Sequence, residues 1–240
     1  MKKKLPWRIA FTTLLCNLLL VACVSYDAEP FIGKTLPRPT GYSTGVTEDW
    51  IYFNLRTGQQ FNTSAPNKDI TEGEQKDRID WDLAFCGYRL RTNSGTSGVG
   101  KGGAADLQDN NYGRWTKVSE LPEDLKWTID NDNEVYVTMS RNDWNKYLIK
   151  NNLDFKENPW FDPNSGPAQT LVSANPTLAH VMSFSGPPPI YSLSYHVYVI
   201  RTADGKRYFK LQVVSWYNTG ANIGDTGGMI SYYCDELINN

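Results

Sequence analysis

The sequence is poor in histidine and cysteine, with only two and four of these residues among its 240. No C-x-x-C or H-x-x-x-H spacing occurs, which argues against a structural zinc site. Two histidines, His180 and His196, leave few ways to build a Ser-His-Asp triad. Carboxylates are plentiful, but no spacing singles out a pair for glycoside hydrolysis. The sequence therefore predicts a protein that is not an enzyme, with a hydrolase kept only as a weak alternative.

The sequence also has no excess of positive charge. The formal net charge is −2 at pH 7, and four positive charges lie within residues 1–22, at Lys2, Lys3, Lys4 and Arg8. Because those residues carry no negative charge, the chain without them has a net charge of −6. This charge argues against nucleic acid as a partner.

One long apolar run is present, at residues 9–21, and it is too short to span a bilayer as a helix of about 20 residues. After its basic start, it predicts an export signal over residues 1–22. The run ends in LVAC at residues 20–23, which resembles the lipobox of bacterial lipoproteins. Cys23 is therefore predicted to carry a lipid that anchors the protein to a membrane. A chance cysteine after an ordinary secretory signal is the alternative.

Two cysteines, Cys86 and Cys234, remain if Cys16 leaves with the signal and Cys23 is acylated. An exported protein can form disulfides, so these two could be bridged. Buried thiols on strands fit equally well, because one pair cannot be placed from sequence alone.

The remaining chain divides into a tether and one domain. Residues 23–45 are rich in proline and glycine with little periodicity, which predicts a flexible tether. Residues 46–240 are predicted to form a single, mostly antiparallel β domain. Strands are expected at residues 50–55, 80–91 and 229–237. One hairpin is expected across residues 130–133. A second should join residues 191–201 to residues 208–217 through the turn Ala203-Asp204-Gly205-Lys206. A capping box at residues 140–143 predicts one short helix at residues 141–150.

The stretch GTSGVGKGG at residues 95–103 is close to the phosphate-binding loop of nucleotide enzymes. Gly102 occupies the place of the Ser or Thr that holds magnesium, and the residues after it lack an apolar helical face. The stretch is therefore predicted to be a glycine loop between strands.

Aromatic residues are abundant, with 8 Trp, 14 Tyr and 9 Phe, and several lie near the turn SGPPPIY at residues 185–191. Such side chains suit a flat apolar ligand or a sugar ring, and they equally suit a β core.

Several segments together are similar to the HmuY family of haem-binding surface lipoproteins of Gram-negative anaerobes. The similarity covers roughly residues 50–233 and depends on the order and spacing of the segments. They are WIYF (50–53), DWDLAF (80–85), RLRTN (89–93), GVGKGGA (98–104), FSGP (184–187), YSLS (191–194) and RTADG (201–205).

The resemblance implies a β palm whose extended hairpins close on haem. It also implies a lipoprotein of the outer membrane, on the cell surface, that passes haem to a TonB-dependent receptor. Iron would be held by two axial His or Met side chains, without any chemical reaction.

The resemblance also limits the candidate ligands. The second ligand of the family directly follows the Phe-Ser pair, where this chain has Gly186. The first belongs to the region between residues 137 and 184, which offers Met139, His180 and Met182. Binding of a glycan, another porphyrin or a host protein on the same scaffold is the competing hypothesis.

Overall fold

A computed structural model describes residues 34–35, 50–62, 69–138, 149, 161–162, 166–167, 169–185, 190–216 and 230–239. Within these ranges the chain is almost entirely antiparallel β structure, which confirms the predicted fold class. Two larger sheets form a palm, and three short two-stranded sheets accompany it.

The first palm sheet has five strands. They are β1 (Lys34–Thr35), β6 (Gly103–Asp106), β13 (Tyr198–Arg201), β14 (Tyr208–Ser215) and β15 (Ser231–Glu236). Their order is β1-β15-β14-β13-β6, with all neighbours antiparallel. Strand β1 lies within the predicted tether, so backbone pairing of the palm begins before residue 46.

The second palm sheet has four strands. They are β2 (Ile51–Phe53), β3 (Gln60–Asn62), β4 (Leu83–Cys86) and β5 (Arg89–Thr92). Their order is β3-β2-β4-β5. The remaining strands pair in twos: β7 (Tyr136–Thr138) with β10 (Gln169–Leu171), β8 (Phe161–Asp162) with β9 (Gly166–Pro167), and β11 (Met182–Ser185) with β12 (Ile190–Leu193).

The two palm sheets face each other across the main core. Alternate residues of β14, Phe209, Leu211 and Val213, join Leu83 and Phe85 of β4 in one apolar cluster. The other face of β14 is covered too, since Lys210 Nζ and Gln212 Nε2 donate to backbone carbonyls in the segment before residue 113. Strand β14 is therefore largely buried on both faces, with apolar side chains on one and hydrogen-bonded polar side chains on the other.

A second cluster lies on the other face of the four-stranded sheet. Trp50, Tyr52 and Trp81 are fully buried there, and the rings of Tyr52 and Trp81 meet edge to face with centroids 4.9 Å apart. Edge-to-face pairing adds stability beyond the burial of apolar area.

The hairpin turn between β13 and β14 is confirmed, with Thr202 and Arg207 closing it by a backbone hydrogen bond of 3.0 Å. The first arm predicted at residues 191–201 is wrong as a single strand, because residues 194–197 divide it into β12, which pairs with β11, and β13. The single strand predicted at residues 80–91 is wrong. It is a hairpin, because Gly87 has a φ of 55° and reverses the chain between Cys86 and Arg89.

The hairpin predicted across residues 130–133 is also wrong. Thr128 bridges to Ala104 and Asn131 to Ala174, whereas β7 pairs with β10. The predicted helix at residues 141–150 lies outside the described residues, apart from Ile149, which is helical.

Four short 3-10 helices complete the described structure, at Glu74–Asp77, Tyr112–Arg114, Val118–Glu120 and Leu178–Val181. Among the described residues, no helix has the length and apolar character needed to cross a membrane.

Candidate ligand-binding site

An aromatic cluster lies where β12 meets the end of β14. The ring centroid of Trp216 is 5.6 Å from that of Tyr88 and 5.5 Å from that of Tyr191. Tyr191 and Trp216 border a cleft of about 310 Å³, which we call the aromatic cleft. It is lined by Tyr191, Ser192, Leu193, Tyr195, Val214, Ser215 and Trp216. Its volume is at the lower end of the range for small-molecule pockets.

Irregular backbone shapes this cleft. The pairing of β14 with β15 shifts register between Val213 and Ser215, and such bulges bend a strand and redirect its side chains. On the other wall, Tyr195 has a φ of 57°, which is uncommon for a residue other than glycine. This conformation separates β12 from β13, and Gln212 Nε2 holds it by donating to the Tyr195 carbonyl at 2.7 Å.

The indole of Trp216 is the most informative group in the cleft. Trp216 is 2% exposed, and its Nε1 has no hydrogen-bond partner among the described residues. A buried donor without a partner costs about 1 to 3 kcal/mol. Trp216 lines the cleft, but its Nε1 is shielded from solvent, so a ligand acceptor reaches this donor only when the cleft opens.

A cation borders the same cluster. The guanidinium of Arg89 lies 4.1 Å from the ring centroid of Tyr88, in cation–π geometry. Burial raises the pKa of the Tyr88 hydroxyl, so this group remains protonated at neutral pH. The cluster thus combines apolar faces, a neutral hydroxyl and a positive charge.

The described candidate ligands lie in different environments. Met182 begins β11 opposite Leu193, is 3% exposed and packs in the main core. His180 is exposed, near the end of the 3-10 helix Leu178–Val181. Met139, Gly186 and the lipidation candidate Cys23 lie outside the described residues.

For Cys86 and Cys234 the sequence left a disulfide or two buried thiols open, and the structure favours buried thiols. Cys86 and Cys234 are both buried, and no disulfide joins them. They belong to separate apolar clusters on different sheets, which explains why both stay as thiols.

The glycine stretch is a closed loop around the buried side chain of Asn93. The amide of Gly100 donates to Asn93 Oδ1 at 2.9 Å, and that of Gly102 donates to the Asn93 carbonyl at 2.9 Å. Every backbone amide from Thr96 to Gly102 has an acceptor within the protein. None of these amides is available for a phosphate, so the geometry agrees with the prediction of a glycine loop between strands.

Sequence reasoning missed Asp130, which it placed in the turn of a hairpin across residues 130–133. Asp130 is 1% exposed and accepts hydrogen bonds from Thr92 Oγ1 at 2.6 Å, Thr92 N at 2.9 Å and Asn175 Nδ2 at 3.1 Å. Burial raises the pKa of its carboxyl to about 6, and the bonds from Thr92 limit the rise. Asp130 connects β5 to the segment before the Leu178–Val181 helix.

This pKa predicts an unusual pH dependence. Since the folded-state pKa lies above the ordinary carboxyl value of 3.8, the folded protein binds the proton more tightly than the unfolded chain does. The contribution of Asp130 to the free energy of unfolding should therefore grow by about 2 kcal/mol as pH falls from 7 to 4.5. Urea unfolding of wild type and Asp130→Asn at both pH values measures it. An equal difference between the two proteins at both pH values would contradict the raised pKa.

Comparison with known proteins agrees with this architecture. The family model described as HmuY protein matches residues 46–234. A search of curated proteins found no match.

Solved structures share the fold at low sequence identity. The apo HmuY analog of Tannerella forsythia has a TM-score of 0.51 at 20% identity and covers 88% of this chain and 99% of its own. Apo PinO from Porphyromonas gingivitis has a TM-score of 0.51 at 12% identity, covering 87% and 99%. A putative lipoprotein from Bacteroides fragilis has a TM-score of 0.50 at 18% identity, covering 78% and 83%. Because the family model spans most of the sequence, the chain belongs to the HmuY family.

Proposed function

We propose that this protein is a surface lipoprotein of the outer membrane that binds haem and delivers it to a TonB-dependent receptor. Membership of the HmuY family supports the haem-binding part of the proposal. The observation that carries it furthest is the aromatic cleft with its unpartnered indole N–H. The protein captures and releases its cargo unchanged, so no catalytic residue is assigned.

The aromatic cleft offers a porphyrin three kinds of interaction. The rings of Tyr191 and Tyr195 line the cleft, and the half-exposed Tyr195 offers apolar surface to a planar macrocycle. The Nε1 of Trp216, shielded in this structure, is a donor suited to a propionate oxygen once the cleft opens to it. Arg89, beside Tyr88, supplies a positive charge close to the same cluster, which favours an anionic ligand.

Iron ligation would require side chains that reach the macrocycle. His180 is exposed and can approach a ligand directly, whereas Met182 is packed in the core and reaches one only if β11 moves. We therefore propose His180 as the first axial ligand to test, with Met139 and Met182 as the other candidates. Imidazole and thioether are both established axial ligands of haem iron.

A haemin titration tests the proposal. Absorbance spectra of the soluble protein with haemin, oxidised and reduced, should show a shifted Soret band for wild type. Met139→Ala, His180→Ala and Met182→Leu each remove one candidate ligand. The Soret band should change in each variant whose residue binds the iron. Leucine is used at position 182 because it keeps the buried volume while removing the sulfur.

His196→Gln is the matched control for His180→Ala. The Nδ1 of His196 lies 2.9 Å from Asp106 Oδ2, and His196 does not line the aromatic cleft. Its spectrum with haemin should equal that of wild type. An unperturbed haemin spectrum in both oxidation states for wild-type protein would overturn haem binding.

A second candidate function is binding of a metal-free porphyrin without ligation. The burial of Met182 favours this function, because a methionine packed in the core does not reach a bound macrocycle. The rings of the aromatic cleft would then hold the porphyrin without that ligand. Protoporphyrin IX separates the two functions. If it binds as tightly as haemin, and the three candidate ligands prove dispensable, iron ligation is not part of the function.

The membrane anchor is tested at Cys23. Cells grown with an alkyne-tagged palmitate should label the wild-type protein, and Cys23→Ser should abolish both the label and recovery in the membrane fraction. Cys86→Ser serves as a control because that thiol is buried in the β domain. Labelling that persists in Cys23→Ser would contradict lipidation at this residue.

A further inference from the structure

A second cleft, of about 460 Å³, lies beside the glycine loop. Its side walls include Lys101, Ile129, Arg201 and Tyr208, and we call it the cationic cleft. Tyr208 is the first residue of β14, whereas Trp216 of the aromatic cleft follows the last. At about 3.3 Å per strand residue, the two clefts lie roughly 25 Å apart, so one small ligand cannot occupy both.

The two cations of this cleft have no carboxylate partner among the described residues. None of the lining residues is acidic, and neither Lys101 nor Arg201 forms an ion pair there. Other arginines of the protein differ, since Arg56, Arg91 and Arg207 each pair with a carboxylate. Two neighbouring unpaired cations are notable in a chain whose net charge is negative.

Arg201 is held in a fixed position. Its Nε donates to the Lys101 carbonyl at 2.8 Å and its Nη2 to the Gly102 carbonyl at 3.1 Å. Its guanidinium also lies 5.0 Å from the ring centroid of Trp127. These contacts use two of its five N–H donors and leave the others available. A guanidinium held in advance loses little entropy when a ligand binds.

The floor of the cleft is equally constrained. The amide of Lys101 donates to the Ala203 carbonyl at 2.7 Å, which ties the glycine loop to the β13–β14 turn. A Cβ added at Gly205 would lie 3.3 Å from the Cβ of Lys101, so the turn and the lysine stem are in close contact. Beside the cations, Ile129 is 55% exposed and offers an apolar surface.

We propose that the cationic cleft binds a small acidic sugar or a similar ring that carries an oxyanion. Arg201 and Lys101 hold the carboxylate or phosphate, and the ring lies against Ile129 and Tyr208. Arginine recognises such planar or tetrahedral oxyanions through several parallel donors. Recognition is by side chains, because the loop amides already have acceptors.

Titrations monitored by NMR chemical shifts test this site. The probes are glucuronate and N-acetylneuraminate as carboxylates, glucose 6-phosphate as a phosphate, and glucose as the neutral reference. We expect at least one acidic sugar to bind at least tenfold more tightly than glucose. Its affinity should fall as the salt concentration is raised. Whether the carboxylates or the phosphate bind more tightly identifies the natural oxyanion.

Lys101→Gln and Lys206→Gln form a matched pair of variants. Lys206 is exposed on the same β13–β14 turn but does not line the cleft. Lys101→Gln should weaken binding of the acidic sugar at least fivefold, while Lys206→Gln leaves it unchanged. Equal weakening by both variants, or no acidic sugar binding more tightly than glucose, would overturn the site.

Discussion

Replacing Arg91 with methionine should lower the free energy of unfolding by about 3 to 5 kcal/mol. Arg91 is 2% exposed, and its Nη1 donates to Tyr52 Oη at 2.6 Å and to Glu72 Oε1 at 2.7 Å. Its Nε donates to the Ser173 carbonyl at 3.1 Å, and its guanidinium lies 3.5 Å from the ring centroid of Trp50. Methionine keeps part of the apolar packing, so the loss reports mainly the polar groups left without their partner.

Arg78→Met is the matched control for this substitution. Arg78 pairs with Asp80 at 2.6 Å, but their side chains are 36% and 49% exposed. An exposed pair of this kind contributes about 1 kcal/mol or less. Chemical denaturation of both variants measures the difference. Equal losses in the two proteins would mean that burial of the Arg91 pair has no special role in the fold.

Replacing Gly95 with alanine should cost about 3 kcal/mol or more. Gly95 has a φ of 54°, and a Cβ added there would lie 1.9 Å from the carbonyl oxygen of Asp130. No side chain fits at that distance, so the backbone around Asp130 must shift and its buried hydrogen bonds must be disturbed. The loss combines an unfavourable conformation with a steric clash.

Gly58→Ala separates these two causes. Gly58 has a φ of 76°, but an added Cβ would have no neighbouring atom within 4 Å. Only the conformational cost of about 1 kcal/mol should appear there. Thermal or urea unfolding of the two alanine variants therefore isolates the clash at Gly95. A loss at Gly95 no larger than that at Gly58 would contradict the close packing of the glycine loop.

The β13–β14 hairpin was predictable because its signal is local. Asp204 and Gly205 form a turn that suits a hairpin, and apolar residues alternate on both sides. The β4–β5 hairpin carries a weaker signal, since Gly87 and Tyr88 stand within a run that also fits a continuous strand. Only the pairing of Cys86 with Arg89 distinguishes the two possibilities.

The aromatic cleft could not be predicted in the same way. Tyr88, Tyr191 and Trp216 come from three distant parts of the sequence, and tertiary packing alone brings them together. The signal available in the sequence was aromatic abundance, which suits a core as well as a binding site. Asp130 was misjudged for a related reason, because the partners that bury it lie 38 and 45 residues away.

Haemin binding observed at the indole N–H of Trp216 tests the account most directly. In ¹⁵N-labelled protein, the iron of bound haemin broadens nearby indole signals, and Trp216→Phe identifies the signal of Trp216. Trp81 and Trp115 serve as internal references, because they belong to other apolar clusters and do not line the aromatic cleft. We predict that haemin broadens the Trp216 signal at equimolar addition and leaves the other two visible. Haemin binding that leaves the Trp216 signal intact would contradict the assignment of the aromatic cleft.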